Sequence, residues 1–493
     1  MSEQYRQVTC SRSVTGGAFA SGGQQNFKFH VSDSKRFVPS KSFFKIDYTL
    51  TCNPLSGGAK TDLPQSDTLT APAELMGACL YEQAALQAGG SDISSLQNNV
   101  PQASALRNRL AKQHGWQKSL GQAFGVEASF QKRIGWVSKT ADPLQEDSFE
   151  RVSLLAKTTD AASVFITAVG DALTGVDTDF TQCKDGDIIV IAGVQYYITV
   201  TDATTGTVKR VDGVTIAADV AATAIFHGLR RVAGEGKNVS STMWQPPLGI
   251  FNSGNAELFG GDFTIVLNPS SDFQTRAVES LQTQSAGARY ELVINDVRFY
   301  ACIRNSSSRE EKSEQVLSLV EQSMYAKQMS NSSEILDFTV PSSTSMISVF
   351  LQDATAGKDV QFPPTRFVCA NGVERNLKSI QVTKDGISKP PIKYDSAYNA
   401  TTDQLYQRFV DTQLESGSFF EGGESYREWL QRGVLLHFNF DGDVSERGTS
   451  CQVSIDLSSI SGNPNCMVCA WYDSKVTIQS SYGRIEAVTR EAK

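Results

Sequence analysis

Runs in which apolar and polar residues alternate recur along most of the chain, and they predict β-strands. The clearest runs lie at 26–31 and 43–50, and in the second the apolar side chains occupy every other position from Phe44 to Leu50. A period of two places these side chains on one face of a strand, which is typical of half-buried antiparallel sheets. The chain is therefore expected to be predominantly β.

Strand-like runs of similar design occur twice, on either side of a polar link at 305–315. The strongest patterns lie at 263–267 and 290–303 in the first half, and at 434–440, 451–457 and 467–478 in the second. A chain of 493 residues also exceeds what one hydrophobic core normally serves. The order of elements therefore predicts one β domain present twice.

Helices are expected to be few. The predicted helices cover 101–112, 402–414 and a shorter run at 425–431. Pro101 suits the first turn of the first helix, and Asp403 can cap the second. Two further runs, 74–88 and 316–329, fit either a helix or strands.

The composition changes to Ala, Thr, Val, Gly and Asp between about 146 and 240. Its centre, 186–200, holds two β-rich runs joined at Ala192-Gly193-Val194, which predicts a hairpin. Further short strands with turn signals follow. The segment is therefore interpreted as an inserted small β barrel or sandwich.

The segment from Trp244 to Phe251 contains Pro246 and Pro247 in succession. Two prolines fix φ and remove two backbone donors, so the segment suits neither a helix interior nor a central strand. It is expected to be a rigid, extended, buried corner at which the chain returns from the insertion to the β core.

Charge is unevenly distributed, although the chain carries −8 overall. Residues 1–45 hold seven Lys/Arg against two acidic residues, whereas residues 158–226 hold three Lys/Arg against nine Asp. The overall balance argues against non-specific nucleic-acid binding as the main task, since phosphate neutralisation needs a basic face. Residues 1–26, rich in Ser, Gly and Gln, are expected to form a flexible arm.

Two further features bear on the compartment. Nine cysteines, mostly scattered singly, favour free thiols in a reducing environment over a disulfide framework. No apolar run has the length of a membrane helix, and the N-terminus lacks the apolar core of a signal peptide. Secretion through a signal peptide is therefore not expected.

Candidate chemistry is sparse, and we expect no catalytic, cofactor-binding or metal-ligating residue and no cofactor. The four histidines are isolated, and His437 is interpreted as a strand residue that faces away from its neighbours' core. Cys466 and Cys469 have metal or redox spacing, but on a strand they would point to opposite faces, which favours buried structural thiols. Arg107 and Arg109 are expected to be solvated or paired with carboxylates.

The order of several short motifs resembles that of the major capsid proteins of polinton-like viruses, virophages and related eukaryotic DNA viruses. The motifs are Phe37–Phe44, Asn98–Leu110 with Gly115-Trp116 behind it, Trp244–Phe251, Gly260–Phe263 with Leu267-Asn268-Pro269, and Val297–Ala301. The resemblance spans roughly residues 27–480 without the Asp-rich insertion. It implies a structural protein rather than an enzyme.

The resemblance implies a double jelly roll, with two eight-stranded sandwiches side by side. Combined with the patterns above, the expected divisions are an arm (1–26), a first jelly roll (27–145 and 241–304), an inserted tower (146–240), a linker (305–315), a second jelly roll (316–480) and a tail (481–493).

The same resemblance implies a function in virion assembly. Homotrimers of pseudo-hexagonal outline would tile an icosahedral shell together with penton and minor capsid or cement proteins. The basic arm would face packaged DNA or an internal membrane, and the tower would lie outside, within reach of the host surface. Two other classes remain open: a jelly-roll glycan-binding or fibre-type attachment protein, and a β-sandwich hydrolase with two carboxylates in a cleft.

Overall fold

The structure is a computed structural model of the chain. It describes residues 3–12, 19, 23–52, 61–62, 70–111, 120–126, 136–138, 153–154, 163–168, 171–176, 178, 180, 187–192, 194–210, 214–222, 225–227, 229–231, 240–254, 256–280, 290–306, 312–395, 404–416, 424–440 and 448–492. Within these ranges strands are far more frequent than helices, as the alternating pattern predicts.

The elements are numbered in chain order. The strands before the insertion are β1 (Glu3–Thr9), β2 (Gln25–Val31), β3 (Lys35–Phe37), β4 (Phe43–Cys52), β5 (Thr61–Asp62), β6 (Thr70–Pro72), β7 (Tyr81–Ala88) and β8 (Ser91–Leu96). Those of the insertion are β9 (Trp136–Ser138), β10 (Ser153–Leu154), β11 (Ser163–Ile166), β12 (Ala172–Val176), β13 (Asp187–Ile191), β14 (Val194–Val200), β15 (Thr205–Arg210), β16 (Val220–Ala222), β17 (Ile225–His227) and β18 (Leu229–Arg231).

The strands after the insertion are β19 (Ser240–Trp244), β20 (Gly261–Pro269), β21 (Val278–Ser280), β22 (Tyr290–Asn305), β23 (Lys312–Gln328), β24 (Ser333–Thr339), β25 (Thr344–Gln352), β26 (Leu377–Lys384), β27 (Ile387–Asp395), β28 (Leu435–Asn439), β29 (Ser450–Leu457), β30 (Asn465–Ser481) and β31 (Arg484–Ala492). The α-helices are α1 (Met76–Cys79), α2 (Val100–Ala111), α3 (Gly249–Asn252), α4 (Phe273–Arg276), α5 (Gln404–Glu415) and α6 (Tyr426–Arg432). Short 3-10 turns lie at Pro39–Lys41, Leu120–Phe124 and Ala370–Asn376.

Two β-sandwiches with the same strand order make up most of the fold. In the first, roll 1, the sheets are β1-β22-β4-β19 and β2-β20-β7-β8. In the second, roll 2, they are β23-β30-β25-β28 and β24-β29-β26-β27. Counting the eight main strands of each roll along the chain, both rolls pair them as 1-8-3-6 and 2-7-4-5. This order defines a jelly roll, so the predicted double jelly roll is confirmed.

Alternation of side chains builds the core of roll 1 from both of its sheets. Phe27 on β2 and Phe44 on β4 are fully buried and meet edge to face, with ring centroids 5.0 Å apart. Phe29 on β2 stacks on Phe263 of the neighbouring strand β20, and its centroid lies 5.7 Å from that of Phe299 in the opposite sheet. These contacts hold the two sheets face to face, because buried aromatic rings pack favourably in edge-to-face and offset-stacked arrangements.

Strands occupy part of the expected flexible arm and part of the expected C-terminal tail. β1, within the expected arm at 1–26, pairs with β22 from Glu3↔Arg304 to Thr9↔Arg298. β31, within the expected tail at 481–493, pairs with β30. Both are mostly exposed, so ladder hydrogen bonds, rather than a buried face, account for most of what fixes them.

The two segments with ambiguous patterns are now assigned. Residues 316–329 lie mainly in β23, which begins at Lys312 inside the expected linker. In 74–88, the short helix α1 is followed by the strand β7. The helices predicted at 101–112, 402–414 and 425–431 correspond to α2, α5 and α6; Asp403 lies outside the described residues.

The insertion forms an eight-stranded antiparallel sheet in the order β10-β17-β13-β14-β15-β12-β11-β16. The predicted hairpin is present, since β13 and β14 pair up to Ile191↔Val194. The sheet has its own cluster of buried side chains, separate from those of the rolls. β9 pairs with β18, so the inserted β structure begins before the expected boundary at 146.

The Pro-Pro corner connects two buried elements. Trp244 ends β19 and stacks on Tyr81, with ring centroids 5.0 Å apart. Gln245 then donates to the carbonyls of Ser40 and Ser42, and both prolines are buried. The corner is buried and extended as expected, but it leads into α3 before β20 begins.

The separate core of the insertion predicts that it can be excised. Replacing residues 139–228 by a short Gly/Ser linker should leave the main thermal transition within a few degrees of wild type, as measured by calorimetry. Leu173→Ala in the full chain is the matched control: Leu173 is buried in the insertion, and the lost packing, about 2–5 kcal/mol, should affect only the insertion's transition. A main transition lowered by either change would show that the insertion supports the rolls.

Candidate functional site: the seam between the two jelly rolls

Much of the sheet β23-β30-β25-β28 in roll 2 is buried on both faces. On β30, Cys466, Val468 and Ala470 point into the core of roll 2. The intervening Met467, Cys469 and Trp471 pack into the cluster that contains the core of roll 1. We call this contact, together with the polar residues described below, the seam. Because roll 1 covers the outer face of this sheet, β30 carries apolar side chains on both of its faces.

Helix α2 contributes a buried arginine to the seam. Arg107 Nε donates to Gln322 Oε1 at 2.7 Å and to the Pro247 carbonyl at 3.0 Å, while Nη2 donates to the Val320 carbonyl at 2.7 Å. Its guanidinium also lies 5.5 Å from the ring centroid of Trp471, within the range of a cation–π contact. One side chain of roll 1 thus links the Pro-Pro corner to two strands of roll 2.

A second arginine of α2 begins a buried chain of four alternating charges. Arg109 Nε lies 2.7 Å from Glu424 Oε1, Glu424 Oε2 lies 3.3 Å from Arg432 Nη1, and Arg432 Nε lies 2.8 Å from Glu74 Oε1. Each residue is at most 6 % exposed. Burial opposes the charge of Arg432, but the Glu74 and Glu424 carboxylates raise the pKa of its guanidinium above its usual range. The chain crosses the seam twice, since Glu74 and Arg109 belong to roll 1.

The approach of the Pro-Pro corner to roll 2 requires a glycine. A Cβ on Gly249 would lie 2.8 Å from the Val320 carbonyl oxygen, closer than van der Waals contact allows. The Gly249 amide donates to Glu321 Oε2 at 3.1 Å, and Ser94 Oγ donates to Glu321 Oε1 at 2.6 Å. Buried Glu321 of roll 2 therefore binds two separate segments of roll 1.

The histidine on β28 also lies in the seam. His437 faces away from the core of roll 2, as predicted from its strand position, but it is only 3 % exposed because roll 1 covers that face. Its Nδ1 lies 2.8 Å from Ser348 Oγ, which accepts a hydrogen bond from Trp471 Nε1 at 2.7 Å. Burial lowers the pKa of His437 to about 3, so the ring is neutral at physiological pH.

The remaining candidate groups have structural surroundings. Cys466 and Cys469 lie on opposite faces of β30, and burial raises the pKa of each thiol to about 12. Among the described residues, no three His, Cys, Asp or Glu side chains are arranged to hold a metal ion. No helix within them could span a membrane. A small cavity beside Arg107 and Trp244 measures about 20 Å³, which is room for little more than a water molecule.

Sequence analysis singled out four of the seam residues, Arg107, Arg109, His437 and Cys469, but not the contacts that surround them. Arg107 and Arg109 were expected to be solvated or paired; both are buried, and only Arg109 has a carboxylate partner among the contacts given above. Glu74, Glu424 and Arg432 were not singled out. A lone carboxylate within the apolar run from 71 to 80 was the available signal for Glu74, since a charge in such a run is normally paired when buried.

The strand order and the seam define a double jelly-roll protein. No protein family's sequence model matches the chain, and no curated protein matches it in sequence. Solved structures that it resembles include that of the Sputnik virophage (11 % identity, TM-score 0.48, covering 100 % of this chain and 88 % of that one). The mavirus major capsid protein (11 %, 0.45, 99 % and 90 %) and the Faustovirus major capsid protein (11 %, 0.48, 98 % and 90 %) are similar to a comparable extent.

Glu424 pairs with both arginines of the charge chain, so loss of its carboxylate is expected to lower stability strongly. Glu424→Gln should lower the free energy of unfolding by about 3–5 kcal/mol, because two buried arginines would lose a counter-charge. Chemical denaturation would measure the loss. Glu82→Gln is the matched control: its ion pair with Arg276 involves a carboxylate that is 52 % exposed, and an exposed pair contributes about 1 kcal/mol or less. Equal losses in the two variants would contradict this assignment.

The buried histidine predicts a pH dependence with a definite sign. The unfolded chain takes up a proton at His437 below about pH 6.5, whereas the folded chain does so only near pH 3. Between these values the unfolded state binds more protons, so this residue lowers the free energy of unfolding by about 1.4 kcal/mol for each unit of pH decrease. Above pH 6.5 it contributes no slope.

Denaturation curves from pH 7 to pH 4 would test this dependence. His437→Gln should reduce the slope of unfolding free energy against pH, whatever its effect on stability at pH 7. His30→Gln serves as the control, because the His30 side chain is 52 % exposed. An unchanged slope in His437→Gln would show that the proton uptake occurs elsewhere.

Proposed function

We propose that the protein is a major capsid protein of a DNA virus, which self-assembles as a homotrimer of pseudo-hexagonal outline and tiles an icosahedral shell. The observation that carries the proposal is the presence of two jelly rolls of identical strand order in one chain, joined by a buried seam. Three such chains supply six similar rolls. A closed ring of three identical subunits then has six similar sides and therefore a nearly hexagonal outline.

The motifs that resemble capsid proteins support this proposal through their positions. The motif at 98–110 contains all of α2 but its last residue, with the two seam arginines, and the motif at 244–251 is the Pro-Pro corner. The motif at 297–301 lies on β22, whose Phe299 packs in the core of roll 1. The resemblance therefore concerns residues that hold the double jelly roll together, and it favours a structural function over catalysis.

The proposal extends to the setting of the protein. Its place is the virion, next to other copies of itself and to penton and minor capsid proteins. The Asp-rich insertion suits a solvated outer surface that can reach a host, and the basic N-terminal region suits the side that faces DNA or an internal membrane.

Trimerisation is the most direct test of this function. Three copies of the 53.6 kDa chain give about 161 kDa, and light scattering on purified protein should report that mass at micromolar concentration. Electron micrographs should show pseudo-hexagonal capsomers or closed shells. A stable monomer in both measurements would contradict the capsid proposal, and a rise in melting temperature on adding sugars would favour the glycan-binding class instead.

A further inference from the structure

The charge chain in the seam has an unsatisfied polar atom at each end. At one end, Arg109 directs Nε and Nη2 to Glu424 and to the Gly433 carbonyl, whereas its Nη1 has no hydrogen-bond partner among the described residues. At the other end, Glu74 Oε1 accepts from Arg432, whereas Oε2 has no partner within the same part of the chain. Glu74 is 3 % exposed and Arg109 is 5 % exposed.

Two buried atoms of this kind are destabilising unless something pairs with them. Burial removes a donor or acceptor from bulk water, and the loss of free energy is larger when the group carries a charge. Nearly all such groups in folded proteins are satisfied, either by the protein or by an ordered water molecule. The two ends of the charge chain therefore point to a ligand between them.

A small cavity borders both ends of the charge chain. Its wall includes Glu74 and Arg109, together with Ala105 on α2, Val126 and Thr365. Its volume is about 10 Å³, and a cavity needs about 10–15 Å³ to hold one water molecule. The Thr365 hydroxyl donates to the Glu74 carbonyl at 2.7 Å, so its oxygen remains able to accept a hydrogen bond.

The charges around the cavity favour a neutral ligand. Arg109 and Arg432 balance Glu74 and Glu424, so an ion of either sign would add an uncompensated charge to a buried site. The two unsatisfied atoms are one donor and one acceptor. A water molecule can pair with both at once, whereas an apolar ligand would pair with neither.

We propose that this cavity binds one ordered water molecule, which accepts a hydrogen bond from Arg109 Nη1 and donates one to Glu74 Oε2. The water closes the chain of Arg109, Glu424, Arg432 and Glu74 into a ring that includes both rolls. Thr365 Oγ1, on the cavity wall, is an acceptor for its second hydrogen, which gives three partners, the usual number for a buried water. The site depends only on the contacts of the seam, so it stands or falls independently of the proposed function.

A high-resolution crystal structure of the full chain tests the site directly. One density peak is expected at hydrogen-bond distance, about 2.7–3.2 Å, from both Glu74 Oε2 and Arg109 Nη1. A direct contact between the two side chains, or a cavity without density, would overturn the proposal. Crystals soaked in bromide and in rubidium should show no anomalous peak at this position, since a peak from either would assign the site to an ion instead.

Two variants of nearly equal size test the same site in solution. Ala105→Val and Ala105→Thr each add two heavy atoms to the cavity wall, and both side chains are β-branched. Valine displaces the water without replacing its hydrogen bonds, whereas threonine supplies a hydroxyl. The midpoint of chemical denaturation should therefore be lower for Ala105→Val than for Ala105→Thr.

Ala103 provides the control pair, because it is also on α2, is fully buried and belongs to an apolar cluster. At this position the valine variant should be at least as stable as the threonine variant, since a hydroxyl is unfavourable in apolar surroundings. The same order of midpoints at position 105 as at position 103 would show that the cavity is dry and would overturn the proposal.

Discussion

The fold depends on the burial of the outer face of β23-β30-β25-β28 by roll 1. Met467, Cys469 and Trp471 would be exposed on a separated roll 2, and a contiguous apolar surface of that kind favours association. These residues belong to the same apolar cluster as the core of roll 1, whereas roll 2 has a core of its own on the other side of the sheet. The chain is therefore better described as one unit with two rolls than as two domains on a linker.

Polar groups in the seam contribute orientation more than stability. Removing four charges from water costs free energy that their mutual attraction repays only with good geometry. The chain from Arg109 through Glu424 and Arg432 to Glu74 pairs residues of both rolls, so a shift of one roll against the other would separate Arg109 from Glu424 and Arg432 from Glu74. Gly249 adds a steric condition, because the corner fits against β23 only without a side chain. Apolar burial thus holds the rolls together, and we regard the charges and the glycine as the features that fix their alignment.

Local sequence patterns predicted the strands that have one buried face. The other strands and the buried seam residues depend on tertiary contacts that local patterns do not show. β2 and β4 alternate because each packs on one core, so their sequences reveal them. β1 has only Val8 buried, so its backbone pairing with β22 leaves no hydrophobic period to detect. The local sequence around Arg107, Arg109 and His437 does not show that the other roll covers them, so they were not expected to be buried between the rolls. The duplication of a β domain was predictable from the repeated order of elements, and the double jelly roll was implied by the resemblance to capsid proteins, whereas the seam required the three-dimensional arrangement.

The outer face of the sheet β23-β30-β25-β28 in roll 2 differs in chemistry from the equivalent face of β1-β22-β4-β19 in roll 1. The face of roll 2 is buried within the chain, so its polar residues pair inside the seam, as His437 does with Ser348. On the equivalent face of roll 1, the rings of Tyr5, Phe43 and Tyr300 contact one another and are bordered by ion pairs such as Lys41 with Glu3. Interfaces that form after folding commonly have this composition, with aromatic residues at the centre and a polar rim. Duplication of one sandwich thus gives the chain two equivalent sheet faces, of which the one in roll 2 is buried within the chain.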